Sequence, residues 1–335
     1  MKILVATGIY PPEVGGPSYY AKELVEALNR LGHEAKPVTY GTLMRFPTGL
    51  RHLLFFFRLI PNMFWAEKII ALDTFSVALP VAVASMIFRV PFVIRTGGDF
   101  VWEQYLERTG DLVPLKDFYT NKRAFTTKEK IVLSVTRFVL RRAHLIIFST
   151  RMQKDIWTGA YNIDQTKTRI IENAIDAPLP SEEPTHKNFL WYVRPTAFKN
   201  GVRLHKAFLK AKEEYPEIIL EEGQIPKKDL LEKMKSCHAV MLPSITEISP
   251  NYILDALRFK KPFIMDKYSG LTDKLGRYGT LVDPLSEEDI ARAIKELARD
   301  EGYTRAKEKV QAFSEVRTYE DIAREFLALS PTIQS

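Results

Sequence analysis

MKILVATGIYPPEVGGPSYYAKELVEALNRLGHEAKPVTY, residues 1–40, carries the pattern that decides the fold. Lys2 to Ala6 is an apolar run of strand length. The loop TGIYPPEVGGP follows. Ser18 reads as the N-cap of a helix, with Pro17 blocking helix before it. Ala21, Leu24, Val25, Leu28 and Leu31 recur at helical spacing, and Gly32 supplies the C-terminal stop. Ala35 to Tyr40 reads as a second strand. Strand, loop, helix and strand in this order build a parallel sheet with crossover helices.

The alternation continues outward. Strands are expected at Lys68–Leu72, Pro91–Thr96, Leu145–Ser149 and Arg169–Glu172. Helices are expected at Arg51–Ile60, Ser76–Phe88, Lys130–Arg142 and Arg151–Tyr161. Residues 1–175 thus read as one doubly wound, Rossmann-like domain. NAIDAPLPSEEPTHKN, with its prolines and polar character, marks a linker at 176–188. A second α/β domain is expected over 189–312. Its strands are Phe189–Val193, Glu217–Glu221, Ala239–Leu242 and Pro262–Met265. Its helices are Val202–Glu214, Lys228–Ser236, Asn251–Phe259 and Glu287–Arg299. Residues 313–335 close the chain, with an amphipathic helix over Tyr319–Leu329 that packs back on the first domain.

A chain of 335 residues suits two domains of ordinary size. Lys and Arg number 48 against 41 Asp and Glu, and the whole basic excess lies in the first 175 residues. Anionic lipid surfaces and phosphate-bearing substrates suit such a half, and so does plain solubility. One cysteine, Cys237, excludes an internal disulfide and a thiol-rich zinc site. His33, His52, His144, His186, His205 and His238 show no metal-ligand spacing. No signal-peptide layout opens the sequence, and no apolar run reaches bilayer-spanning length. The expected location is cytoplasmic, extending to the cytoplasmic face of the membrane. Leu50–Trp65 combines Arg51, His52 and Arg58 with five apolar or aromatic residues at 53–57 and Trp65. That composition suits peripheral membrane contact by the N-terminal domain. A core helix accounts for most of the same positions.

Four stretches can carry chemistry. Gly15 and Gly16 precede a helix, where backbone can approach an anion; the loop lacks the G-x-G-x-x-G and Walker A patterns. Arg194 and Lys199 in YVRPTAFKNG follow a strand, and two cations there suit a diphosphate. Two solvated surface cations are the plainer reading. LPSITEISPNYILDAL places Glu247 in a loop and Asp255 eight positions later on a helix that Ser249 or Asn251 can cap. These carboxylates suit sugar hydroxyls, or merely complement the helix dipole. TGGDF, residues 96–100, offers Asp99, which either meets a ligand or caps the helix containing Trp102 and Tyr105.

In order, these motifs resemble the retaining GT-B glycosyltransferases of group 1. Arg194 and Lys199 match that family's Arg-x4-Lys pair, and TEISPNYILDAL its Glu-x7-Glu motif, with Asp255 in the second carboxylate position. IIENAID and LVDPLSEEDIARAIKELARD resemble its interdomain segment and its C-terminal helix signature. The loop after Glu247 departs from the family's Gly-Phe-Gly, glycines replace a histidine in TGGDF, and one strand-helix unit before GQIPKKDLLEKM is missing.

The resemblance implies two Rossmann-like domains with an interdomain cleft. It implies sugar transfer from a nucleoside-diphosphate sugar to a glycan or lipid-linked acceptor, with retained configuration. No metal, other cofactor or nucleic acid is implied. By resemblance Arg194, Lys199, Glu247 and Asp99 are catalytic. Gly15, Gly16, Gln224, Ile225, Ser249, Pro250, Asn251, Tyr252 and Asp255 bind the donor. Gly97, Gly98, Trp102 and Glu103 face the acceptor. The departures keep two alternatives open: a catalytically weakened sugar-nucleotide-binding protein, and a nonhydrolysing sugar-nucleotide epimerase.

Overall fold

The structure, a computed structural model, describes residues 1–13 and 15–329. Val14 of the first loop and the last six residues of the expected closing segment lie outside the described residues. Two compact units emerge. One comprises Met1–Gly98, Arg123–Ala174 and the stretch from Thr318; the other comprises Asp99–Lys122 and Ile175–Arg317.

In chain order the first unit contains β1 (Lys2–Thr7), α1 (Gly16–Arg30), β2 (Glu34–Thr39), α2 (Thr48–Met63), β3 (Lys68–Ala71), α3 (Ala78–Phe88) and β4 (Phe92–Thr96). The chain then passes through α4 (Phe100–Thr109) and α5 (Leu115–Phe118) of the second unit. It returns with α6 (Thr127–Arg142), β5 (Leu145–Phe148), α7 (Arg151–Tyr161) and β6 (Thr168–Ile170). The sheet runs β2-β1-β3-β4-β5-β6, and every neighbouring pair is parallel. Ile3, Val5, Ile70, Val93 and Ile147 meet Leu24, Val25 and Leu28 of α1 in one core. Burial of β1 and β5 on both faces explains their apolar runs, while edge strand β2 is exposed and polar at Glu34 and Lys36.

The second unit continues with β7 (Asn188–Tyr192), α8 (Gly201–Glu214), β8 (Ile219–Gly223), α9 (Lys227–Ser236), β9 (Ala239–Leu242), α10 (Asn251–Arg258), β10 (Phe263–Asp266), α11 (Thr272–Leu275), β11 (Thr280–Val282), α12 (Glu287–Ala298) and α13 (Asp300–Gln311). Its sheet runs β11-β10-β9-β7-β8, again all parallel. Leu190, Val240 and Leu242 face one core with α9 and α10, while Phe189, Trp191 and Met241 face another with α8 and α12. Strand order reverses between β7 and β9, the place where open α/β sheets leave a crevice for ligands.

Several expectations are corrected. Ser18 is not an N-cap: α1 starts at Gly16 with Gly15 as its cap, and buried Ser18 donates to the Glu13 carbonyl. Pro17 sits inside the first turn, where a missing N–H costs nothing. The stretch 99–122, read with the N-terminal domain, groups with the second unit, as does 176–188, read as a linker. The Leu115 amide donates to Thr246, and the amides of Leu179 and Glu182 donate to the carbonyls of Arg258 and Lys235. Such long-range partners leave no periodic trace. Short β11 and polar α13 also escape pattern reading.

The closing helix α14 (Tyr319–Ala328) packs on α1 within the first unit, with Tyr319, Ile322 and Phe326 in the core. Buried Lys68 donates to the Phe326 and Leu329 carbonyls at 2.8 Å each, so a cation satisfies the end of the helix. Phe326→Ala is expected to destabilise the first unit by about 3–5 kcal/mol, a loss that urea denaturation measures.

Candidate functional site

Lys199 reaches its place through a turn built for it. Ala197–Lys199 form a 3-10 turn, and Asn200 adopts a left-handed conformation with φ 64° before α8 starts. Asparagine tolerates that region better than most residues. Its buried amide donates to the carbonyls of Pro243 and Pro284 at 3.0 and 2.7 Å. The turn after β7 is thereby pinned to the loop after β9.

Lys199 Nζ lies 2.6 Å from Glu247 Oε1, with both side chains largely shielded. Exposed pairs such as Lys210–Glu288 contribute about 0–1 kcal/mol at most. The shielded pair matters more, because removing one partner leaves an uncompensated charge. Arg194 is exposed in the same loop.

Segment 99–122 braces this loop. Trp102 of α4 packs against Phe198 with ring centroids 5.5 Å apart. Glu107 accepts from the Ala197 amide. Glu103, partly buried on the same helix, is pushed up to about 7. Burial is the main cause and Asp99 the next, with Lys199 and Arg194 pulling down and Glu247 adding to the rise. Three carboxylates and two cations therefore share one field.

Asp99 takes the alternative the sequence had offered. It is buried, caps α4 by accepting from the Trp102 amide at 2.9 Å, and accepts from the Tyr119 hydroxyl at 2.8 Å. Trp102 is likewise core, its indole N–H donating to the Val113 carbonyl at 2.8 Å. Neither presents itself to an acceptor. Gly97 and Gly98 are exposed at the end of the first unit's β4; a side chain at Gly97 would run into the Arg95 guanidinium. Gly15 and Gly16 open α1, also in the first unit.

Pro250 is the N-cap of α10, so neither Ser249 nor Asn251 caps it, and the helix begins without a side-chain cap. The Tyr252 hydroxyl accepts from the Tyr192 amide at 3.1 Å, joining the end of β7 to α10. Buried Asp255 pairs with Lys227 of α9 and lies 3.5 Å from the Arg258 guanidinium. Lys227 was missed, since nothing in sequence links it to a residue 28 positions on. Gln224 and Ile225, expected to act together, point apart. Gln224 lines a cavity of about 970 Å³ with Trp191, His205 and Glu222, while Ile225 packs against the core beneath α9 and α10. Among the described residues no cluster of three or more His, Cys, Asp or Glu could hold a metal ion.

Glu103 makes a measurable prediction. Between pH 4.5 and 7 the folded protein keeps a proton that the unfolded chain has released, so stability falls as pH rises through that window. Glu103→Gln lacks this penalty. The Tm of the variant minus that of the parent should grow from pH 5 to pH 8; a constant difference would remove the assignment.

Comparison with known proteins supplies the context. Residues 199–315, all in the second unit, match the family model described as glycosyl transferases group 1. No curated protein matches the chain. Solved structures match along nearly its whole length. HepE of Anabaena, in complex with UDP-glucose, aligns at TM-score 0.72 and 16% identity over 98% of each chain. Sucrose-phosphate synthase from Thermosynechococcus elongatus aligns at TM-score 0.70 and 16% identity, also over 98% of each. WaaG, a glycosyltransferase involved in lipopolysaccharide biosynthesis, aligns at TM-score 0.65 and 10% identity, over 97% of this chain and 98% of WaaG. At such identities the structural likeness speaks for the fold, and the family model for the second unit. The chain has the GT-B fold, and its second unit carries a group 1 glycosyl transferase domain.

Proposed function

We propose that the protein transfers a sugar, with retention and without a metal, from a nucleoside-diphosphate sugar to a glycan or lipid-linked acceptor. The observation that carries this is the shielded Lys199–Glu247 pair at the β7/β9 reversal, beside Arg194 and the uncapped start of α10. Arg194, Lys199 and the helix end stabilise charge growing on the leaving diphosphate. Glu247 holds sugar hydroxyls while Lys199 turns to phosphate. Asp255, paired with Lys227 and Arg258, takes the ribose. Ser249, Pro250, Asn251 and Tyr252 form the wall of the donor site, and the backbone of the Gln224–Ile225 loop meets the base. The leaving phosphate accepts the acceptor's proton, so no protein nucleophile is needed. Glu103 faces the same cations from α4 and is the acceptor-side residue of this scheme. Asp99 and Trp102 act indirectly, by fixing that helix. Gly15 and Gly16 offer an anion-accepting helix start in the first unit.

Incubation with UDP-, GDP-, TDP- and ADP-sugars plus acceptor mixtures tests the reading through diphosphate release. Arg194→Ala and Lys199→Ala are each expected to lower turnover tenfold to a thousandfold, about 1.4–4 kcal/mol. Parent rates in either variant would remove that residue from the mechanism. Epimerised donor without release would favour an epimerase. Nucleotide stabilisation without turnover would favour a binding protein.

We also propose peripheral membrane contact through the first unit. Among the described residues no helix is long and apolar enough to cross a membrane. Helix α2 turns His52, Phe55, Leu59 and Met63 inward, yet leaves Leu53, Phe57 and neighbouring Phe64 53%, 56% and 79% exposed. Phe64 meets Phe88, and exposed Met86 and Ile87 of α3 extend the patch. Arg45, Arg51 and Arg58 lie on the same stretch. Vesicles of phosphatidylcholine with phosphatidylglycerol are expected to cosediment the protein, and Phe57→Ser with Phe64→Ser to reduce the bound fraction about tenfold. Equal cosedimentation of parent and variant would discard this surface.

A further inference from the structure

Asp266 ends β10 and is fully buried, with the backbone amides of Glu247 and Tyr268 near its carboxylate and no cation paired with it among the described residues. The residue lies close behind the site. Strands β9 and β10 pair side by side, with Leu242 opposite Met265, and the loop leaving β9 carries Glu247. The loop leaving β10 is tied to that loop, since the Gly270 amide donates to the Glu247 carbonyl at 2.8 Å. Ser244, at the root of the β9 loop, is also fully buried with its hydroxyl unpartnered.

A fully buried carboxylate without a cation paired to it neutralises by keeping its proton. Burial and the charge of Glu247 hold Asp266 well above the ordinary carboxylate range, with the Glu247 and Tyr268 amides and Lys199 opposing. The other charges nearby are engaged elsewhere. Lys267 pairs with Asp283 at the end of β11 at 2.9 Å, and Lys116 of α5 lies over the Tyr268 ring.

We propose that Asp266 is a positioning residue for the diphosphate site, standing behind Glu247 as a neutral acid. In that state no further negative charge stands behind Glu247, and Lys199 remains available to phosphate. Once ionised, Asp266 adds a second negative charge beside Lys199 and weakens the hold on a nucleoside diphosphate. This rests on the reading of Lys199 as a diphosphate contact.

Calorimetric titration with UDP, GDP and ADP at pH 7.5 and at the pH where the infrared band described below has faded tests the role. The parent protein is expected to lose affinity between the two, and Asp266→Asn, which cannot ionise, less than threefold. A parent that loses nothing, or an Asn variant that loses as much, overturns the inference. Infrared spectroscopy reads the proton without any ligand. In a Glu103→Gln background, which removes the band of that acid, a protonated-acid carbonyl band is expected at pH 7.5 and should fade at the pH where nucleotide affinity falls. Its absence at pH 7.5 overturns the inference even if Asp266→Asn does not fold. Failure of all three nucleotides to bind at either pH, with the band present, would instead count against the diphosphate reading of Lys199.

Discussion

The second unit depends on joining two strand ends whose chain connections run in opposite directions from the reversal point. Asn200 clamps the turn after β7 to the proline carbonyls beyond β9 and β11, and Lys199 then meets Glu247 across the gap. The two contacts divide the work. The buried amide fixes backbone, at little electrostatic cost because both its bonds are satisfied. The ion pair fixes side chains.

Around this centre the acids differ in how their charge is supported. Glu247 has Lys199, and Asp255 has Lys227 and Arg258. Glu103 shares its cations with other carboxylates and is pushed up to about 7, while Asp266 is fully buried with no cation paired to it among the described residues. The series follows access to a cation more than residue type.

Segment 99–122 changes how the site is built. Its helix α4 brings a capped start, a buried tryptophan and two glutamates to the cation loop. The aromatic contact between Trp102 and Phe198 gives the loop a rigid back, so Lys199 is placed by packing as well as by charge. A stretch that follows a strand of the first sheet thereby supplies the framework of the second unit's site.

The sequence by itself determined the alternating elements, because parallel strands buried on both faces must be continuously apolar and their helices amphipathic. It also marked Arg194, Lys199 and Glu247 as candidates, because they follow strand ends, and Asp255 as a second carboxylate eight positions after Glu247. Tertiary structure alone decided the rest. Asp99 and Trp102 became framework because their partners, Tyr119 and Phe198, arrive from other elements. Lys227 and Asp266 gained meaning only when α9 met α10 and β10 met β9. Periodicity records which face of an element is buried. It carries no record of which distant side chain will stand opposite, and that is what sets a charge, a cap or a proton.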